Sequence, residues 1–373
     1  MAQTDFTQLL DNEKNVWTKR AWKHAREHSF IMKFAGTGMN SMIQRITELT
    51  KTERGEKAII RLVPDLEGVG VTGDFELEGH EEALKAFDTE IFIDQLRNAT
   101  RNKGRMNDQK TVINFRTEAK DKLGFWLANI IDQMAFLTMA GVSYDKTTTG
   151  ADRTSAGNPT GYKLSDLSFA SRVTAPSAAR HFRVSGTDIV EGDTSAITPT
   201  DTLSYNALLA ARAHMKNRHI RGVRSKGGEE FYHVFLNPLA YLKLKQDPDY
   251  KAALQHAAPR GSSNPIFSGN SVKMDGMVLH EYHHVYNTSG AADGAKWGAA
   301  GDVDGCRVAL CGAQSLAMCT LDDGAVWDEK TFDYGNNHGI AVGKIFGLEK
   351  AKLPSKAEKT EQDFGMCVLD CAI

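Results

Sequence analysis

Residues 108–141 read DQKTVINFRTEAKDKLGFWLANIIDQMAFLTMAG, and this stretch decides the fold. Val112, Phe115, Ala119, Leu123, Trp126, Ile130, Met134 and Leu137 recur at spacings of three and four, the period of one helical face. Gly141 follows as a stop. The pattern predicts a helix over 108–140, which at 1.5 Å per residue is on the order of 50 Å long. Arg116, Glu118, Lys120, Asp121 and Lys122 on its other face exclude a membrane span. Beside strand patterns elsewhere in the chain, a helix this long needs a layer to lie on. It is a spine rather than a site.

Upstream, KAIIRLVPDLEG (57–68) is a β-branched run that ends at Pro64 and glycine, and EIFIDQLRNA (90–99) has similar strand character. The acidic, glycine-rich segment between them has few apolar residues to bury. The pattern predicts a long hairpin arm that gains stability only when a neighbouring subunit covers it. Residues 11–35 read as a helix with Trp17, Ala21 and His24 on one face and Gly36 and Gly38 closing it, either an arm lying on something else or an N-terminal core helix.

Downstream, residues 143–200 are rich in Gly, Ser, Thr and Ala with short strand-like pieces such as HFRVSG (181–186), the style of an insertion on the surface. A second helix is expected at about 203–219, with Leu203, Leu208, Ala211 and Met215 facing inward. FYHVFLNP (231–238) reads as a strand stopped by Asn-Pro, followed by two short helices. Segments 277–286, 307–321 and 338–353 suggest short strands alternating with short helices. The reading is an α+β protein with a second α/β domain at about 230–330 and final strands that return to the first domain.

A formal charge of −2 gives no overall basic field to hold nucleic acid. That argues against a dedicated nucleic-acid binder. With 41% apolar and 25% charged residues, the composition is that of a globular protein rather than a fibrous or disordered one. The start, MAQTDFTQLLDNEKNVW, lacks a basic region followed by an apolar run, so no secretory signal and no membrane are expected. Cys306, Cys311, Cys319, Cys367 and Cys371 are odd in number and make no C-x-x-C pair. Reduced thiols in a protein assembled in the cytoplasm are the expectation, with a zinc or disulfide site as the alternative.

His280-Glu281-Tyr282-His283-His284 matches H-E-x-x-H, the spacing by which zinc peptidases hold a metal on one helical face. Its Val- and Tyr-rich flanks favour a strand instead, in which His280 and His284 would stand roughly 13 Å apart. The zinc peptidase survives only as an alternative. Gly68-x-Gly70-x-x-Gly73 has dinucleotide-motif spacing, but the acidic DFELEG that follows is poor company for a pyrophosphate and reads as a loop tip. The sequence holds neither a phosphate-binding G-x-x-x-x-G-K-[ST] loop nor a G-x-S-x-G elbow. Lys216, Arg218, His219, Arg221, Arg224 and Lys226 form the densest positive run, read as a solvated helix end or as a contact for DNA or an acidic neighbour. No catalytic, cofactor-binding or metal residue is assigned, and no cofactor is expected.

LVPDLEGVGVTGDFELEGHEEALKAFDTEIFIDQLRNATRNKGRMNDQKT (62–111) resembles a family of tailed-bacteriophage major capsid proteins, the podovirus-like coats with the Hong Kong 97-type capsid fold. IFSGNSVKMDGMVLHEYHHV (266–285), CGAQSLAM (311–318) and EKTFDYGNNHGIAVGKIFGL (329–348) are similar in style. The resemblance implies an N-terminal arm at 1–55, an extended loop at 56–106, and a peripheral domain at 107–229 with the spine helix and the 143–200 insertion. It further implies an axial domain at 230–330 and a return to the peripheral domain at 331–373. Such subunits gather as hexamers and pentamers into an icosahedral shell around double-stranded DNA, with the portal as partner and, in some phages, scaffold, maturation protease and decoration proteins. A cellular nanocompartment shell with the same fold is the alternative.

Overall fold

The computed structural model describes residues 29–46, 57–62, 70–82, 87–106, 115–153, 161–225, 227–257, 272–321, 325–354 and 360–373. Two sheets flank the spine helix, Phe115–Ala140, whose first expected residues, 108–114, lie outside the described ones. By length and composition this helix could cross a membrane, yet 78% of its most apolar window is buried inside the protein. Its first turns keep the expected charged outer face. From Leu127 onward almost every side chain is buried, because the helix packs on strands of both sheets. It stops as the sequence predicts. Gly141 adopts φ +69, and the amides of Gly141 and Val142 donate to the carbonyls of Thr138 and Leu137, closing the last turn. A Cβ at Gly141 would meet the Thr174 carbonyl oxygen at 2.5 Å, so glycine is required there for space as well as for φ.

The first sheet has six strands in the order Ala35–Gly36, Ile43–Ile46, Leu316–Thr320, Asn337–Glu349, Val326–Phe332, with Asp94–Arg101 also paired to Asn337–Glu349. The second has eight. Its path runs Val272–Met274, Met277–Glu281, Glu230–Leu236, Gly305–Cys311, Met366–Ala372, His181–Ser185, Asp188–Glu191, and Val223–Arg224 pairs with Glu230–Leu236. One continuous core joins them through the helix and includes Leu127, Met134, Phe235, Val308, Phe346 and Leu369.

Several sequence expectations need correction. The described part of the expected 11–35 helix, from Ser29 on, is a single 3-10 turn at Ile31–Phe34 followed by a short strand, and residues 11–28 lie outside the described ones. The described residues of 143–200, namely 143–153 and 161–200, are not a surface excursion. Tyr144, Phe169, Phe182, Val184 and Ile197 are buried, and HFRVS at 181–185 is a strand of the second sheet. Its alternation of Phe182 and Val184 was the available signal, diluted by the small polar residues around it. Nor do the sheets respect a boundary at 330. Leu316–Thr320 and Val326–Phe332 belong to the first sheet, and the C-terminal strand Met366–Ala372 runs through the middle of the second. That strand is MCVLDCA, buried at every position, the continuous run of a strand covered on both faces. Among the described residues of 277–353 there are strands and turns and no helix, because Gly and Asp-Gly turns, not capped segments, separate the apolar runs.

The helix expected at 203–219 is present as Tyr205–Asn217, with Ser204 capping the Ala207 amide and Leu203, Leu208, Ala211 and Met215 all buried. Asn237 caps Pro238–Gln246 with proline in its first turn, and Pro248–Ala257 follows. All five cysteines are buried free thiols.

Candidate functional site: assembly surfaces

Two features mark this body: a loop fixed at its base and a buried root of the N-terminal segment. The first is the extended loop. Lys57–Leu62 and Phe87–Phe92 pair antiparallel, and the strand Asp94–Arg101 continues into the first sheet along Asn337–Glu349. At the base Ile91 is fully buried, and Gly347 passes so close to Phe92 that a Cβ would fall 2.0 Å from its carbonyl oxygen. Arg172 ties the junction, with its guanidinium 5.4 Å from the Phe92 ring and 3.2 Å from Glu349. Burial pushes the Glu349 carboxyl up to about 7, against the pull of Arg172. The far end of the loop, residues 70–82, touches almost nothing in its own chain. Phe75 is 78% exposed and Leu77 61%, set among Asp74, Glu76 and Glu78. Gly70 and Gly73 adopt φ +73 and +67, which makes the dinucleotide-like glycines turn residues, and no helix follows them within 74–82. Gly68 lies outside the described residues.

The second feature is the root of the N-terminal segment. Asp132, buried on the spine helix, accepts hydrogen bonds from the Ser29 hydroxyl, the Phe30 amide at 2.8 Å, the Ile31 amide at 3.3 Å and the Tyr282 hydroxyl at 2.6 Å. Burial raises its carboxyl above the usual range, while those donors pull it back. The Phe30 ring stacks on Tyr282 at 4.2 Å, and Phe34 sits edge-on to His233 and His280 at 4.9 and 5.0 Å. Removing the carboxylate with Asp132→Ala leaves several buried donors without an acceptor, each costing about 1–3 kcal/mol. The expected result is release of this root, read as tryptic cleavage at the exposed Lys33 at least about tenfold faster than in the parent. An unchanged cleavage rate would show that the root is held by something else.

The H-E-x-x-H residues are not brought together. His280 lies on the strand Met277–Glu281, with Nε2 2.9 Å from Nδ1 of His233 on the neighbouring parallel strand. Glu281 points outward, 3.8 Å from Lys245. The strand ends there, so His284 sits in a following turn rather than farther along a strand as the sequence suggested. Its ring nitrogens face Asn129 and Thr148. Among the described residues no three His, Cys, Asp or Glu side chains are placed to share a metal. The positive run starts in the last turn of the helix Tyr205–Asn217 and continues to the strand Val223–Arg224, where Arg224 pairs with Glu230 at 2.9 Å; Lys226 lies outside the described residues. Sequence reasoning missed Asp132 and Tyr282. An aspartate in the most apolar stretch of the spine helix was the signal that could have found the first.

Comparison with known proteins agrees with this architecture. The family described as phage capsid protein matches residues 7–373. The chain is 50% identical over 367 residues to the major capsid protein of Pseudomonas phage KPP25, covering 97% of this chain and 96% of the relative. The solved capsid of Ralstonia phage GP4 superposes with a TM-score of 0.72 at 25% identity, covering 91% of this chain and 89% of that one. The capsid asymmetric unit of cyanophage Pam1 gives 0.70 at 18% identity, with 91% of each chain covered, and so speaks for the fold. The chain belongs to the phage capsid protein family, has the Hong Kong 97-type fold, and is a major subunit of a virion capsid.

Proposed function

We propose that the subunit acts by geometry alone, gathering as hexamers and pentamers into an icosahedral shell around double-stranded DNA and catalysing no reaction. The first sheet, the spine helix and the extended loop at 56–106 correspond to a peripheral body. The second sheet, which takes in 230–236, 277–281, 305–311 and 366–372, corresponds to the axial body about each capsomer's centre. The arm, expected at residues 1–55, is rooted at Ser29–Phe34, and Ala35–Gly36 and Ile43–Ile46 belong to the first sheet. The portal joins this shell, with scaffold, maturation protease and decoration proteins as further partners, and the DNA is met by non-specific contact without a basic field. No membrane is involved, and assembly takes place in the host cytoplasm.

The observation that carries this reading is the loop tip. Phe75 and Leu77 stand in solvent on a segment whose base is tightly fixed, an arrangement that costs free energy in an isolated subunit and is relieved only by a covering neighbour. Deleting residues 66–86 is expected to give a soluble subunit with unchanged circular dichroism that no longer forms shells by sedimentation and negative-stain electron microscopy. Shells of normal size and yield from the deletion would overturn the reading.

A further inference from the structure

In a chain with 47 Asp and Glu among 373 residues, positions 202–228 hold none of them and six basic residues: Arg212, Lys216, Arg218, Arg221, Arg224 and Lys226. So long a stretch without acid makes a local positive field in a chain whose net charge is −2. The end of the helix Tyr205–Asn217 accounts for part of it. His219, at φ +56, turns the chain there, and the amides of His219 and Ile220 donate to the Lys216 and Met215 carbonyls. A cation such as Lys216 is favourable beside the last carbonyls of a helix. Arg218 is occupied as well, with its guanidinium 6.0 Å over the Phe182 ring. Arg221 and Arg224 lie beyond that turn and need another account.

Both are exposed, on backbone that is firmly held. The Arg221 carbonyl accepts from the Ala313 amide at 2.9 Å, and a Cβ at Gly312 would fall 2.2 Å from its oxygen. The Arg224 amide and carbonyl are both engaged by the Asn40 side chain, each at 2.7 Å, in the manner of a paired strand. Between the two arginines opens a groove of about 390 Å³, completed by Met39, Asn40 and Ser225. Its lining is two guanidiniums, an amide, a hydroxyl and one apolar side chain, with no carboxylate. Glu230 meets Arg224 at 2.9 Å, but a solvent-exposed pair of this kind contributes little and yields to a stronger anion. No ion pair among the described residues engages Arg221.

We propose that this groove seats the phosphate backbone of the enclosed double-stranded DNA. Arg221 and Arg224 hold phosphates, the Ser225 hydroxyl donates to a phosphate oxygen, and Met39 lies against a deoxyribose. This rests on the reading that the shell encloses DNA, and it adds which corner of the subunit meets it. Lys216 and His219, exposed on the same acid-free stretch, extend the positive rank past the groove. A repeating polyanion engages such a rank as a whole and releases counterions at each phosphate, where one acidic side chain would fill a single place. The planar fork of arginine also matches phosphate.

The test begins with the unassembled full chain and a fluorescent DNA duplex of about 20 base pairs, followed by anisotropy between about 50 and 200 mM salt. R221Q with R224Q is expected to weaken binding about tenfold at the lower salt and to flatten the slope of log affinity against log salt by about two. R221K with R224K keeps both charges and is expected to keep the slope. An unchanged slope in the glutamine variant, or no binding by the parent, overturns the proposal. Because a variant that loses its fold would also lose DNA, a second measurement uses filled particles with p-azidophenylalanine in place of Met39. Photo-adducts with DNA support the seat, and adducts confined to an acidic segment of another subunit overturn it. If the glutamine variant keeps the parent's slope while the 66–86 deletion still stops assembly, the shell reading stands and this seat falls. If the deletion assembles normally, that reading falls and the salt slope still decides the groove.

Discussion

Asp370→Asn is expected to be among the most destabilising single substitutions in the chain, by about 3–5 kcal/mol, read as a lowered urea midpoint of the unassembled subunit. Asp370 sits fully buried at the centre of the C-terminal strand. It accepts both arms of Arg307 at 2.7 and 2.9 Å and the His181 imidazole at 2.6 Å. Burial by itself would push that carboxyl up; the Arg307 guanidinium and the His181 hydrogen bond outweigh it and hold it below the usual range. Arg307 also donates from its third nitrogen to the Ala140 carbonyl at 2.8 Å, the last residue of the spine helix. One ion pair therefore joins three central strands of the second sheet to the end of the helix. The amide leaves the guanidinium buried without its counter-charge, which costs far more than the pair contributes over a well-packed apolar substitute. If the midpoint falls by less than about 1 kcal/mol equivalent, the arginine has found solvent and the pair is not the fastening described here.

That network also shows where sequence reading stops. The spine helix, the capped helix at Tyr205–Asn217 and the strand ending at Asn237-Pro238 were legible, because each depends on periodicity and on caps within a few residues. The loop tip was legible too, since a run of acids and glycines between two strands has nothing of its own to bury. The place of Met366–Ala372 was not. Its apolar run announces a buried strand, but its partners are 65 and 187 positions earlier in the register pairs Cys306↔Cys371 and His181↔Val368. Nothing local encodes pairing at that separation. The same holds for Asp132, which reads as an interruption of an apolar helix until Ser29, Phe30 and Tyr282 are seen to converge on it. H-E-x-x-H misleads for the opposite reason: its spacing has meaning only on a helix, and this segment is a strand that ends in a turn.

Acid is expected to loosen the subunit between about pH 6.5 and 4. Burial pulls His233, His280 and His284 down to about 4, reinforced at His233 by the charge of His280 and at His284 by those of His283 and Arg153. In the unfolded chain each histidine takes up its proton near pH 6.5. Their contribution is therefore fully present above about 6.5, is lost as pH falls through that window, and levels off below about 4. Discounted for partial solvent access, each is worth about 2 kcal/mol. His233 and His280 share a hydrogen bond that requires one unprotonated nitrogen, so a proton on the acceptor breaks it and sets an imidazolium against the neighbouring ring's N–H beneath Phe34. Glu349 runs the other way. Its carboxyl, raised to about 7, takes up a proton in the folded state first and adds stability as pH falls from about 7 to 4.5. The raised Asp132 acts in the same sense. The net loss is thus smaller than the histidines' sum, and the informative quantity is a difference between proteins. The stability lost from pH 7.5 to 4.5 should shrink by roughly 3 kcal/mol in the double variant His233→Gln, His280→Gln, and should grow in Glu349→Gln. Urea unfolding of the three proteins at the two pH values measures both changes. An equal loss in parent and histidine variant would mean that the pair is hydrated and titrates normally. The aromatic seat of the arm root would then be insensitive to pH.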